Sequence, residues 1–448
     1  YLYWSHSGDS MDAQVTFEGN TVDGNVGYTT SISGRSFYGF FSDVTSIVQA
    51  IPDPSSNVYD FSDLTIDNTG TYCSWTVVLG GWSLMIFYSD PSLPASTINL
   101  YQGFDGNQNS SSTFSLSGFY AIGSVGSKTT ALSWEGDQTL ANNESLQFTT
   151  PLSGTNLLTG DGDNDGISAN NPFNSTHFDN TVLPNLNNTA SHGVDLDTYD
   201  VSSFILPGET SATTQVNVGQ DYVIMNAVVL KVPSNLITGR VFEDVNYGGG
   251  AGRNYASASG LGLPGVTVEL YDSLGTLVDT QTTDASGIYV FAGMVNATYN
   301  IRVVNGSVRS SRPGGSACTS CMPVQTFKTE YIASALVERP NEVGGANPAS
   351  ADTGVGVISG AQTLATVTIV NEGVAGLDFG FNFNTIVNTN EDAQGSLEQF
   401  IVNSNNLGET GLDIEANAIF DPAAGEDTSL FMIPSSADPL GRVADPNF

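Results

Sequence analysis

Residues 237–305 alternate apolar and polar side chains in short runs: Val266, Val268 and Leu270, then Ile288 and Val290, then Tyr299, Ile301 and Val303. Clusters of Gly, Asp, Asn and Ser separate the runs. A period of two places successive side chains on opposite faces of a strand, so each run can bury one face and wet the other. A helix would need apolar residues at a period near 3.6, which these runs lack. Short alternating strands at regular spacing restrict the chain to antiparallel sheets packed face to face. The same texture fills most of the chain before residue 232, as in "DAQVTFEGNTV", "STINLYQGF", "STFSLSGF" and "DYVIMNAVVLKV". Val77, Val78 and Leu79, and then Leu84, Met85, Ile86 and Phe87, read as central strands buried on both faces, parted by a turn or bulge at Gly80-Gly81. The expected fold class is all-β.

The order of pieces is more specific than the strands. An opening "GRVFEDVN" is followed by "PGVTVELYD", then "TTDASGIYVF", then "YNIRV", and "VAGLDFGFNF" at 374–383 closes the set. This order resembles the SdrD-type and collagen-adhesin B-type repeats of bacterial surface proteins, which implies a prealbumin-like β-sandwich over about 236–385. Residues 306–362 would then be a long insertion rich in Gly, Pro, Ser and Ala, expected to be ordered only by lying on a neighbour. The stretch 1–232 reads as a jelly-roll-like β-sandwich and is similar to an uncharacterised domain that precedes repeats in large surface proteins. Residues 386–448 resemble the strand–helix–strand leader of a right-handed β-helix. Ser396 and Gln399 have capping-box spacing, and Leu397, Phe400 and Ile401 share one helix face.

Charge narrows the partners. Forty-six acidic residues face eleven basic ones, a formal charge of −35. Such a chain repels nucleic-acid phosphates, and no run approaches the roughly 20 apolar residues of a membrane span. The balance favours Ca²⁺ or cationic partners, although solubility in a salty habitat would also account for it. "YLYWSHSG" lacks a basic and then apolar leader, so the expectation is a mature or trimmed extracellular chain.

Two segments could wrap a hard cation. "GDGDNDGIS" sets Asp161, Asp163 and Asp165 at alternate positions around a glycine turn, as oxygen-coordinating loops do. A solvated Asp-Gly turn has the same sequence. In the repeat, Asp244, Asn246 and Asp284 match calcium-loop positions of SdrD-type relatives, so calcium there is what the resemblance implies. Here the loop continues "YGGGAGRN", where relatives carry more acids, and Asp284 also suits a plain turn in "TTDASG". A Lys–Asn isopeptide of the collagen-adhesin kind would have to use Lys231, Asn382 and an acid such as Glu269. Cys318 and Cys321 lie in the loop "PGGSACTSCMP" without further zinc ligands nearby, which favours a small disulfide and leaves Cys73 as a buried thiol.

No catalytic pattern emerges: His6, His177 and His192 fit no metal motif, and no G-x-S-x-G elbow exists. The expected function is non-enzymatic, a structural subunit of a prokaryotic cell-surface assembly or filament that meets copies of itself head-to-tail. The contact residues expected are Leu397, Phe400, Ile401, Leu430, Phe431, Met432 and Ile433, with "TSLFMIP" adding to a neighbour's sheet edge. The alternative is an adhesin or carbohydrate-binding head for host or cell-surface glycans, in which Trp4, Trp75, Trp82 and Trp134 would supply an exposed aromatic strip.

Overall fold

The computed structural model of the protein describes residues 1–88, 90, 93, 95–123, 125–140, 143–159, 171–188, 191–415 and 419–435. Strands make up 42% of it and helices 5%, so the fold is all-β. The chain divides into two compact units, Tyr1–Pro233 and Ser234–Phe448.

The first unit is built around a six-stranded sheet in which Lys128–Trp134 and Val223–Pro233 are adjacent inner strands. The longer strand shows why this sheet is buried on both faces. Its Val223, Met225, Val228, Leu230 and Val232 join one core with Phe114, Leu146, Phe148 and Val216 of a four-stranded sheet. Its Ile224 and Ala227 join another core with Tyr3 and Phe37 of the N-terminal sheet. The change of parity comes from a register shift between Met225 and Ala227. Asn226 sits there, accepting from Trp134 Nε1 at 2.9 Å and donating to the Gly103 carbonyl at 2.8 Å. An unpaired amide side chain so deep would cost free energy, and these bonds remove that cost.

The N-terminal sheet carries a further core on its other face, where Trp4, Phe40 and Leu2 meet Val15, Phe17 and Val22 of a three-stranded sheet and Val48 of the helix Thr45–Gln49. The first unit is therefore a stack of sheets with three apolar layers, where the sequence suggested one jelly-roll-like pair. Gly80 and Gly81, expected in a turn or bulge, open the strand Gly80–Leu84. A Cβ on Gly80 would run into Ile66, and one on Gly81 would come within 2.9 Å of Trp134. Of the residues read as doubly buried, only Leu84 lies in the strand and only Leu79 is buried; Val78 is 40% exposed, Ile86 42% and Phe87 41%. A short apolar run cannot by itself say which strand is central.

The second unit is a two-sheet sandwich. Val268 and Leu270, Ile301 and Val303, and Val367 and Ile369 from a four-stranded sheet face Ile237, Val241, Phe291, Phe379 and Phe381 from the other sheet. Leu236–Glu243 and Phe379–Asn382 are parallel neighbours, with Val241 beside Phe379 and Glu243 beside Phe381. The segment 306–362 is ordered within its own unit, contrary to the expectation. It supplies the strand Val324–Ile332, which pairs antiparallel with Phe379–Asn382 and turns back into Ala335–Glu338.

Candidate functional site

The tail departs from the expected geometry in an informative way. Ser396 caps the helix Leu397–Asn406, its Oγ accepting from the Gln399 N–H at 3.1 Å. Gln399 does not return the bond; its side chain donates to Ser320 and Asn403 instead. The one buried residue of this helix is polar Asn403, which bonds the carbonyls of Met322 and Phe383 and the Met322 N–H. The apolar face is turned outward, with Leu397 47% and Ile401 49% exposed.

Beyond the helix, Leu430–Phe431 pairs in parallel with Thr385–Ile386 of the same unit, so this edge of "TSLFMIP" is already taken internally. Strand alternation then splits the predicted contact residues. Leu430 is buried with Tyr247, Val324, Val343 and Val387, and Met432 packs against them. These two are core residues of their own chain and are withdrawn from the contact set. Phe431, 56% exposed, and Ile433 line a groove of about 540 Å³ together with Leu397, Ile401 and Ile386. Phe400 is half-buried and does not line the groove. The tail is held by Arg312, which donates to Asn384 at 3.0 Å, to the Gly408 carbonyl at 2.9 Å and to Asp427 at 2.7 Å.

Of the expected cation ligands, Asp161, Asp163 and Asp165 lie outside the described residues. Asp244, Asn246 and Asp284 each have partners of their own. The Arg253 guanidinium grips the buried Asp244 carboxylate through both Nε, at 3.0 Å, and Nη2. Asn246 Oδ1 is occupied by the Asp413 N–H at 2.8 Å. Asp284 closes its own turn, accepting from the N–H groups of Ser286 and Ile288, both at 2.8 Å. Arg253, the residue that interrupts the acidic loop, thus bonds the Asp244 carboxylate and the Asn246 carbonyl. Asn382 and Glu269 are likewise engaged: Asn382 bonds Asp244, Asn384 and Thr385, and Glu269 pairs with Arg302 at 2.9 Å.

Cys318 and Cys321 are disulfide-bonded and buried, while Cys73, expected to be buried, is exposed on the helical turn Gly70–Cys73. The tryptophans form no strip: Trp4 and Trp134 are fully buried, and exposed Trp75 stacks under the Arg35 guanidinium at 4.1 Å.

Sequence reasoning missed one group. Glu135 and Asp137 follow the strand Lys128–Trp134, and Asp221 precedes Val223–Pro233; their carboxylate oxygens lie within 4.8 Å of one another. Gly136 between the first two is required, because a Cβ there would strike Asp195 and come within 2.9 Å of the Phe173 carbonyl oxygen. Asp221 accepts from the N–H of Asp137 at 2.8 Å and from its neighbour Tyr222 at 2.6 Å. Burial, then the charges of Asp221 and Asp137, push Glu135 up to about 9. Burial raises Asp221 to about 7 against the pull of those amides, and burial alone raises Asp137. The motif "WEGD" was visible, but nothing local says that it meets residue 221.

The second unit is a β-sandwich in which the strands Leu236–Glu243 and Phe379–Asn382 are parallel neighbours. The SdrD B-like domain matches at residues 235–321. Over 92 residues, 20% of this chain, the sequence is 34% identical to the bone sialoprotein-binding protein of Staphylococcus aureus strain MRSA252 and to the serine-aspartate repeat-containing protein E of strain MSSA476. The match spans 8% of the length of each of those relatives. Among solved structures, the group B streptococcus pilus 2b backbone protein aligns with 64% of this chain and 97% of its own, at 10% identity and a TM-score of 0.16, too low to bear on function. Residues 235–321 of the chain thus carry an SdrD B-like domain. Among the described residues, no helix is long and apolar enough to cross a membrane.

Proposed function

We propose that this chain is an extracellular, cell-surface structural subunit that assembles with copies of itself through its C-terminal segment. The observation behind this reading is the orientation of the helix Leu397–Asn406, which seats on its unit by Asn403 and leaves Leu397 and Ile401 outside. Together with Phe431 and Ile433 they make an apolar groove that exposes large side chains at a cost in water. A second copy covering that face would recover about 25 cal/mol for each Å² buried. Repeated head-to-tail, such a contact gives a filament.

Deleting 384–448 would be a poor test, since it removes the partners of buried Arg312. Replacing Leu397, Ile401 and Phe431 by Glu leaves those bonds intact. Sedimentation and negative-stain microscopy should then show filaments or oligomers of the parent chain and monomers of the variant. A parent chain that stays monomeric at high concentration, or a variant that still assembles, sinks the reading. The adhesin alternative has no comparable observation, since the tryptophans form no exposed strip among the described residues. Calcium at Asp161, Asp163 and Asp165 remains part of the proposal and is separable from assembly by repeating the measurement in chelator.

A further inference from the structure

The first unit buries carboxylates without burying anything positive beside them. Its basic residues are Arg35, Lys128 and Lys231. Arg35 is spent on the carbonyls of Thr71 and Ser33. Lys128 and Lys231 face each other across the strand pair, at the far end of Lys128–Trp134 from Glu135. At about 3.3 Å per residue that strand separates them from the acids by roughly 20 Å. Among the described residues, every ion pair belongs to the second unit.

A fourth acid points to what is missing. Glu144 is 5% exposed, and neither of its oxygens meets a hydrogen-bond donor at ordinary geometry. It directly precedes the strand Ser145–Thr150, where Ser145 pairs with Asn217, which sets Glu144 level with the turn that carries Asp221. The charges of Asp221 and Asp137 act on it, and the amides of Asp221 and Gly219 only temper the effect. An orphaned, buried carboxylate beside three clustered ones is costly unless a proton or a cation joins them.

We propose that Glu135, Asp137 and Asp221 bind a calcium ion in the first unit, with Glu144 completing its oxygen shell. Calcium–oxygen distances are about 2.3–2.6 Å, so two ligands on opposite sides of one ion stand up to about 5 Å apart. The 4.8 Å spread of the three oxygens fits inside that sphere. The donors are all carboxylates, the set that suits a hard cation and not zinc or copper. A cleft of about 480 Å³ lined by Glu135, Asp137, Thr139, Ser175 and His192 gives the ion and its waters a way in. Three separate loops would be tied together: the exit of Lys128–Trp134, the start of Ser145–Thr150 and the turn before Val223–Pro233. This inference does not rest on the assembly reading, and either can fail alone.

Terbium is the direct probe, because Trp134 and Tyr222 adjoin Glu135 and Asp221 in sequence and can sensitise its emission. Titrating the full chain with Tb³⁺ under excitation of Trp should give saturable emission that Ca²⁺ displaces. Glu135→Gln with Asp221→Asn should weaken Tb³⁺ at least tenfold, and Glu144→Gln alone at least threefold, with far-UV circular dichroism unchanged. Asp161→Asn, Asp163→Asn and Asp165→Asn together should leave the Trp-sensitised signal in place. The proposal is overturned if the parent chain shows no Ca²⁺-displaceable emission. It is also overturned if Glu144→Gln, still folded, binds within twofold of the parent, or if the Asp161 loop variant abolishes the signal.

Discussion

In the second unit the fully buried carboxylates all meet strong donors. Glu269 lies between Tyr271 and Arg302, Asp244 is gripped by Arg253, and Glu243 accepts from Ser310 and Ser311. In the first unit Glu209, Asp195 and Asp221 are met by backbone amides, but Asp221 also crowds Glu135 and Asp137, and Glu144 feels the charges of Asp221 and Asp137. Both halves carry the same number of acids, twenty-three, against three basic residues in the first and eight in the second. The difference is therefore one of compensation. The second unit sets arginines against its buried acids, while in the first unit, among the described residues, Arg35, Lys128 and Lys231 form no ion pair with the clustered ones.

The largest test of this contrast is pH. In chelator, raising the pH from about 5 to about 9 should lower the stability of the first unit by on the order of 5 kcal/mol. Burial holds protons on Glu135, Glu144 and Asp221 up to about 9, 8 and 7 in the folded chain. The unfolded chain has released them by about pH 5, so it binds fewer protons across this window and stability falls as pH rises. Asp137, Tyr222 and cleft-lining His192 are the other titratable neighbours. All four tryptophans belong to this unit, so urea unfolding followed by Trp fluorescence reads it alone. A flat profile would break the comparison.

In the second unit the arginines should matter most. Arg302→Met leaves Glu269 and Asp352 buried without their cation and should cost about 3–5 kcal/mol, seen as a lowered second transition in far-UV circular dichroism while Trp fluorescence is unmoved. Reducing Cys318–Cys321 should cost the same transition about 2 kcal/mol, the loop-closure value for so short a ring. The smallest effect expected is that of Ser396→Ala, about 1 kcal/mol, from loss of the helix cap. If Ser396→Ala shifts a third, separate transition, the C-terminal segment is not part of the second unit's cooperative fold.

How legible each part was in the sequence follows from how local its causes are. The runs at Val266–Leu270 and Tyr299–Val303 declare themselves, because alternation and turn residues act within a few positions. The helix cap at Ser396 was readable for the same reason. Its burial was not: Leu397 and Ile401 look like an inward face, and only the pairing of Asn403 with Met322 and Phe383 turns them out. The apolar run around Val77 was read as central, yet long-range packing leaves Val78 at the rim and puts Trp134 in the core. The acid cluster is the extreme case, since residues 135, 144 and 221 are joined by sheet register alone.

The parallel pairing of Leu236–Glu243 with Phe379–Asn382 has a mechanical consequence. These strands lie near the two ends of the sandwich, and tension pulling residue 236 away from residue 382 runs along them in opposite directions. Their hydrogen bonds would be loaded together in shear and could not be peeled open singly, so rupture requires the whole ladder to slip at once. Forced unfolding is governed by the height of that barrier and not by equilibrium stability. A module wired in this way can carry a steady load on a cell surface even if its resting stability is ordinary.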